Sequence, residues 1–184
     1  MSLITRIKIL AITIFSTVFF SYKLISNNFY KKEKFNEWQS LKWNHFKGVS
    51  RPFSKYSAGI LCEIKLEFDS SKKPNYSAKA IQNQTLSWVN WSDITSTNSS
   101  YILEHEQYHF NITEIFARKL NEQLSQQKTI SRKDVLQLLM NYNIEHNKEQ
   151  QKYDNETKHS LLRSQQMYWQ YKIDSILSYQ EVSL

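Results

Sequence analysis

His105 and His109 stand four residues apart in the string His105-Glu106-Gln107-Tyr108-His109. On an α-helix, residues four apart lie one turn above each other on the same face. Two imidazoles at this spacing can therefore grip one cation, while the carboxylate next to the first borders the same spot. The chemistry that such a set supports is zinc-assisted hydrolysis. It needs three protein ligands and one open position for water; the metal acidifies that water, and a neighbouring carboxylate, here Glu106, takes the proton as the nucleophile attacks a polarised carbonyl. The same five residues also suit an ordinary helix with two histidines and an exposed glutamate, so the reading turns on a third ligand.

Candidates for that ligand are concentrated in Tyr153-Asp154-Asn155-Glu156-Thr157-Lys158-His159. His159 is the choice on chemical grounds, because imidazole suits zinc and needs no deprotonation at neutral pH. Glu156 would instead make a two-His, one-Glu set, and Asp154 a two-His, one-Asp set. The single cysteine, Cys62, has no partner for an internal bridge or a thiolate site, so any metal must be held by histidine and carboxylate. His45 and His146 show no ligand spacing with anything and read as ordinary surface or satisfied histidines. Tyr153, Tyr142 and Arg118 could each stabilise an oxyanion, and nothing in the spacing selects among them.

The elements that must position these residues are legible from periodicity. Residues 57–68 alternate, with Ile60, Cys62, Ile64, Leu66 and Phe68 on one side and Glu63, Lys65 and Glu67 on the other, as in a half-buried strand. A turn at residues 72–75 leads into 76–91, which is β-rich enough for one or two further strands. From Ser99 the pattern becomes helical. Ser99 or Ser100 caps a helix running to about Leu124, with Leu103, Phe110, Ala117, Leu120 and Leu124 near one face. Ser131 followed by Asp134 forms a capping box for a second helix, residues 135–150, and a third amphipathic stretch contains Leu161, Leu162, Met167, Trp169, Ile173 and Ile176. Strands first and helices afterwards predict an α+β fold: a small antiparallel sheet followed by helices packed on one face.

Composition narrows the function classes. The 184 residues are 40% hydrophobic and 14% aromatic, too apolar for a disordered chain. Two Gly and two Pro leave no glycine-rich phosphate cradle and no dinucleotide fingerprint, so nucleotide chemistry drops out. The net charge of +7 is scattered; its densest cluster, Lys31, Lys32 and Lys34, is interrupted by Glu33 and follows an apolar segment, so no nucleic-acid partner is expected.

That segment, residues 9–22, carries no charge and follows Arg6 and Lys8, the pattern of a signal peptide or N-terminal membrane anchor over residues 1–28. The expectation is export, to the periplasm, the medium or the outer side of the inner membrane, with a linker at 29–39 and the folded domain at 40–184. Six Asn-x-Ser/Thr triplets, including one at Asn111, read as coincidence in a chain rich in these residues.

The stretches HEQYHFNITEIFARKL and YDNETKHS together resemble a bacterial family of predicted secreted zinc-dependent proteases, a domain of unknown function with the pattern HEQxHF, an Ala-Arg pair and then YDxxTxHG. The likeness extends to Trp43–Gly48, Tyr56–Gly59 and the Ser-Trp-Val at 87–89, and spans most of residues 40–172. It implies a zincin-like metallopeptidase domain, with the motif on a helix packed against the sheet and a peptide or protein substrate. His105 and His109 fall on the metal ligands and Glu106 on the general base. Asp154, Thr157 and His159 fall on the second motif. The expected set is zinc on His105, His109 and His159, with Asp154 and Thr157 orienting the ligands. Asn111 stands where the family often has Asp, and Ser160 replaces the glycine after the second-motif histidine, which raises the question of a positive φ there. The alternative to catalysis is an envelope protein that keeps the fold and the zinc and acts by binding a partner.

Overall fold

The computed structural model describes residues 33–182; the expected signal or anchor at 1–28 lies outside them. No helix among the described residues is long and apolar enough to cross a membrane. The architecture is α+β. Strands β1 (Phe35–Glu37), β2 (Ala58–Gly59), β3 (Cys62–Phe68), β4 (Tyr76–Asn83) and β5 (Trp88–Val89) precede helices α1 (Ser99–Ser125), α2 (Arg132–Thr157) and α3 (Arg163–Val182).

The strands form two antiparallel sheets, one of order β1-β4-β3 and a two-stranded β2-β5 ladder. Residues 57–68, expected as one strand, are split: Ala58 pairs with Val89, whereas Cys62 pairs with Gln82. Ile60 and Leu61, between them, turn their backbone amides to side chains, Glu106 Oε2 and Ser87 Oγ. Part of the expected linker is also structural. Phe35–Glu37 pairs with Asn83–Ile81 as an edge strand, and the compact unit starts at Lys34. Three residues with one half-buried side chain are too short to show a period, which is why β1 leaves no trace in the pattern.

Helix α1 packs on β4 and β3 along one side and on α2 and α3 along the other. Its residues Phe110, Ala117, Leu120 and Leu124 join Ile64, Ala78 and Ala80 of the sheet in one core cluster. Ile112 and Ile115 face a second cluster with Tyr153 of α2 and Trp169, Ile173 and Leu177 of α3. Each of these large side chains, taken fully out of water, contributes about 1.5–3 kcal/mol. A side-chain clip supplements the apolar contact: Asn121 accepts from Ala78 N–H at 2.7 Å and donates to Ala78 C=O at 2.8 Å, satisfying both polar groups of a β4 residue. With two faces packed, α1 has little solvent-facing surface around its first turns, and His105 and Glu106 are buried.

Helix α2 starts at the expected cap, where Ser131 Oγ accepts from Asp134 N–H at 3.2 Å. It runs well past the expected end at 150, to Thr157. It stops in three successive left-handed residues, Lys158, His159 and Ser160, with φ of 52°, 51° and 69°. The positive φ anticipated for a glycine after His159 is therefore present, carried by serine.

Candidate metal centre

The extension of α2 decides which residues meet α1. His146, Gln150 and Asp154 are spaced by four on α2 and so share one face. That face meets the corresponding stripe of α1, made by His105, His109 and Thr113. Asp154 Oδ1 lies 3.2 Å from His105 Nε2 and 3.0 Å from His109 Nε2. The ligand atoms of His105, His109 and Asp154 all fall within 4.8 Å of one another, so this group can hold a metal ion.

His159, expected as the third ligand, is not in that group. Its Nδ1 lies 3.2 Å from the same Asp154 Oδ1, and its Nε2 lies 2.9 Å from the Tyr56 hydroxyl. The group that can hold a metal thus contains the carboxylate expected to orient the ligands, and His159 contacts that carboxylate. Position on the backbone is the reason. Asp154 is inside the helix, on the face turned to α1, whereas His159 follows the left-handed cap and stacks on Tyr56 with ring centroids 4.1 Å apart. Thr157 Oγ donates to Tyr153 C=O at 2.7 Å, a helix-internal bond away from the ligands.

The donor set has the chemistry of a cation site. Three ring nitrogens crowd one carboxylate oxygen, more than its two lone pairs accept comfortably unless positive charge sits among them. Burial works to raise the Asp154 carboxyl, but hydrogen bonds and charge from His105 and His109 outweigh it and hold the group well below the usual carboxylate range. Burial pushes the His105 imidazole down. It acts the same way on His109, where Asp154 prevails and raises it. His105 Nδ1 is buried with no hydrogen-bond partner among the described residues, and its ring stacks on Tyr153 at 4.7 Å.

Glu106 borders the same space. Its Oε2 accepts the Ile60 N–H at 2.8 Å, which fixes the carboxylate between α1 and the β2–β3 connection. A cavity of about 830 Å³ opens here, lined by Tyr56, His105, Glu106, His109, Asp154 and His159 among others. That volume lies in the range of small-molecule and peptide side-chain sites.

None of the three oxyanion candidates serves the cavity. Tyr153 is fully buried with its hydroxyl 3.4 Å from His105 C=O. Tyr142 donates to Gln123 Oε1 at 2.9 Å. Arg118 pairs with Glu114 at 2.8 Å and lies over Trp38. Tyr56 and His159 are among the polar groups that line the cavity with Asp154.

Sequence reasoning also missed His146 and Gln150. His146 is buried, its Nε2 lying 3.0 Å from Thr113 Oγ1 and 2.9 Å from Gln150 Nε2; burial pushes its imidazole down to about 4. The spacing of His146, Gln150 and Asp154 was the available signal, and it becomes readable only once the helix is known to reach 157. Cys62 also lines the cavity, with its thiol pushed up to about 12 by burial. Asn111, one of the glycosylation triplets, is buried and accepts from Trp38 Nε1 at 3.0 Å, which leaves no room for a glycan.

Residues 73–160 match the model of a family described as bacterial protein of unknown function (DUF922). The matched span contains His105, Glu106, His109, Asp154 and His159. No curated protein and no solved structure matches the chain.

Proposed function

We propose that this chain is a zinc-dependent peptidase of zincin-like arrangement, exported from the bacterial cytoplasm, with the ion held by His105, His109 and Asp154 and with Glu106 as general base. The observation that carries this reading is the meeting of His105 Nε2, His109 Nε2 and Asp154 Oδ1 beside a buried glutamate in one cavity. Two neutral imidazoles and one carboxylate are a donor set suited to zinc. The chemistry supplied by a bound divalent ion is Lewis acidity, which acidifies water and polarises a carbonyl.

The chain's own residues do the remainder. Glu106 is held by the Ile60 amide through Oε2, leaving Oε1 to accept a proton from the attacking water and pass it to the leaving amine. Asp154 balances the charge gathered by the two imidazoles. His159, hydrogen-bonded between Asp154 and Tyr56, holds the carboxylate from its outer side and lines the cavity where a substrate carbonyl would lie. The stretch from Tyr56 to Leu61, which includes β2 and the β2–β3 connection, forms a cavity wall beside the general base, suited to an extended peptide.

The test is elemental analysis of the purified full chain together with hydrolysis of a quenched-fluorescent peptide library. One zinc per chain is expected, lost in His105→Ala and Asp154→Ala; Glu106→Gln should keep the metal and abolish turnover. An unchanged rate in Glu106→Gln would overturn the mechanism. Stoichiometric zinc without turnover of any peptide would instead identify a metal-binding envelope protein.

A further inference from the structure

We infer that Gln150 is a positioning residue for the metal centre: its side-chain carbonyl accepts the Nδ1–H of His109 and so fixes the ring with Nε2 turned to the ligand group. This rests on the proposed metal site and adds to it a residue outside both sequence motifs.

A neutral imidazole bears one N–H, and the partner of one ring nitrogen decides the state of the other. His109 Nε2 faces Asp154 Oδ1, and His109 Nδ1 makes a short contact with Gln150 Oε1. The orientation of the Gln150 amide is settled by the groups at its other end. Gln150 Nε2 lies 2.9 Å from the His109 carbonyl, 3.2 Å from Thr113 Oγ1 and 2.9 Å from His146 Nε2. A backbone carbonyl can only accept, so the NH₂ must point there and the carbonyl oxygen must point at Nδ1. Facing an acceptor, Nδ1 carries a hydrogen, and the ring is held with Nε2 towards Asp154 Oδ1, which accepts from Nε2 until a cation takes that proton's place.

The supports of Gln150 are themselves held. Thr113 Oγ1 lies 3.1 Å from the His109 carbonyl and 3.0 Å from both His146 Nε2 and Cys62 Sγ. His146 and Thr113 are buried, and Phe116 lies edge-on to the His146 ring. Gln150 is thus fixed by residues of α1, α2 and β3. Its amide cannot flip without setting its oxygen against the His109 carbonyl. His105 has no such partner at Nδ1, so among the described residues this control acts on one of the two imidazoles only.

Two measurements on the full-length protein test the inference: zinc affinity by chelator competition, and exchange of the His109 Nδ1–H with water in imidazole ¹⁵N correlation spectra. Wild type should show a His109 Nδ1–H that exchanges slowly. Gln150→Met keeps the volume and removes the acceptor; the Nδ1–H should exchange fast and zinc binding should weaken by about 10–100-fold. Gln150→Glu restores an acceptor opposite Nδ1 and should recover slow exchange and most of the affinity. Thr113→Val disturbs the same network without removing that acceptor, and should leave the exchange slow. A His109 with no proton on Nδ1 in wild type, or a Gln150→Met protein with wild-type exchange and affinity, would overturn the proposal. Should Gln150→Met fail to fold, the wild-type and Gln150→Glu spectra carry the decision. A slowly exchanging Nδ1–H in a wild-type chain that binds no zinc would uphold the hold of Gln150 on His109 and overturn the hydrolase reading instead.

Discussion

Asp154 Oδ1 reaches His109 Nε2 at 3.0 Å across two antiparallel-packed stripes, one on each of the long helices, and it touches His105 and His159 from the same oxygen. This one atom is the meeting point of both sequence motifs. Its place makes the aspartate, and not the more zinc-like imidazole of His159, the group in line with the histidine pair, and the consequences for substitution differ sharply between the two.

Asp154→Ala removes the proposed carboxylate ligand; stoichiometric zinc should be lost on dialysis, as with His109→Ala. His159→Ala removes the contacts to Asp154 and Tyr56 and should retain the metal, with affinity weaker by about tenfold. Zinc content by mass spectrometry, alongside chelator competition, distinguishes the two residues; equal and complete loss in both would return His159 to the ligand set.

Stability should fall in acid through His146. Burial lowers its folded-state pKa to about 4, below the ordinary 6.5. Between these values the unfolded chain binds the proton and the folded chain does not, so the contribution is fully present above pH 6.5 and is lost as pH falls towards 4, at up to about 1.4 kcal/mol per pH unit. His146→Gln should flatten this part of the profile, with a total difference on the order of 3 kcal/mol. Urea denaturation of both proteins at pH 7 and pH 4 measures it; parallel profiles would refute the assignment.

Tyr153 separates packing from chemistry. Its ring is fully buried between His105 and Trp169, with centroids 4.7 and 5.5 Å away. Tyr153→Phe should keep zinc and turnover, because the hydroxyl contacts only a helix carbonyl at 3.4 Å. Tyr153→Ala should cost about 3–5 kcal/mol through the cavity it opens. A loss of turnover in the phenylalanine variant, with zinc retained, would give the hydroxyl a chemical role.

Ser160 has φ of 69°. The left-handed region costs an L-residue roughly 1–2 kcal/mol, while glycine forfeits some of that gain through greater freedom in the unfolded chain. Ser160→Gly is therefore expected to stabilise the protein by up to about 1 kcal/mol, read as a shifted denaturation midpoint with unchanged slope. A destabilised variant would show that the serine side chain holds the turn.

The sequence by itself determined the elements whose signals are local. The period of two in Cys62–Phe68, the cap at Ser131 and the four-residue spacing of His105 and His109 depend on backbone geometry within a few residues, and each appears as expected. It also confined any metal to histidine and carboxylate, because one cysteine cannot make a thiolate site. Only the tertiary structure shows that, of Asp154, Glu156 and His159, it is Asp154 that joins the histidine pair in a group able to hold a metal. Glu156 turns away to Trp169, whose indole N–H donates to it at 2.8 Å, and His159 lies beyond the cap. The choice depends on where α2 ends and how it rotates against α1, and both are decided by packing of distant apolar residues such as Tyr153, Trp169 and Ile112. The same docking created the row of His146, Gln150 and Thr113 between the helices, and pairing with β4 drew Phe35–Glu37 into the sheet, since a polar stripe or a three-residue strand acquires meaning only from the surface it meets.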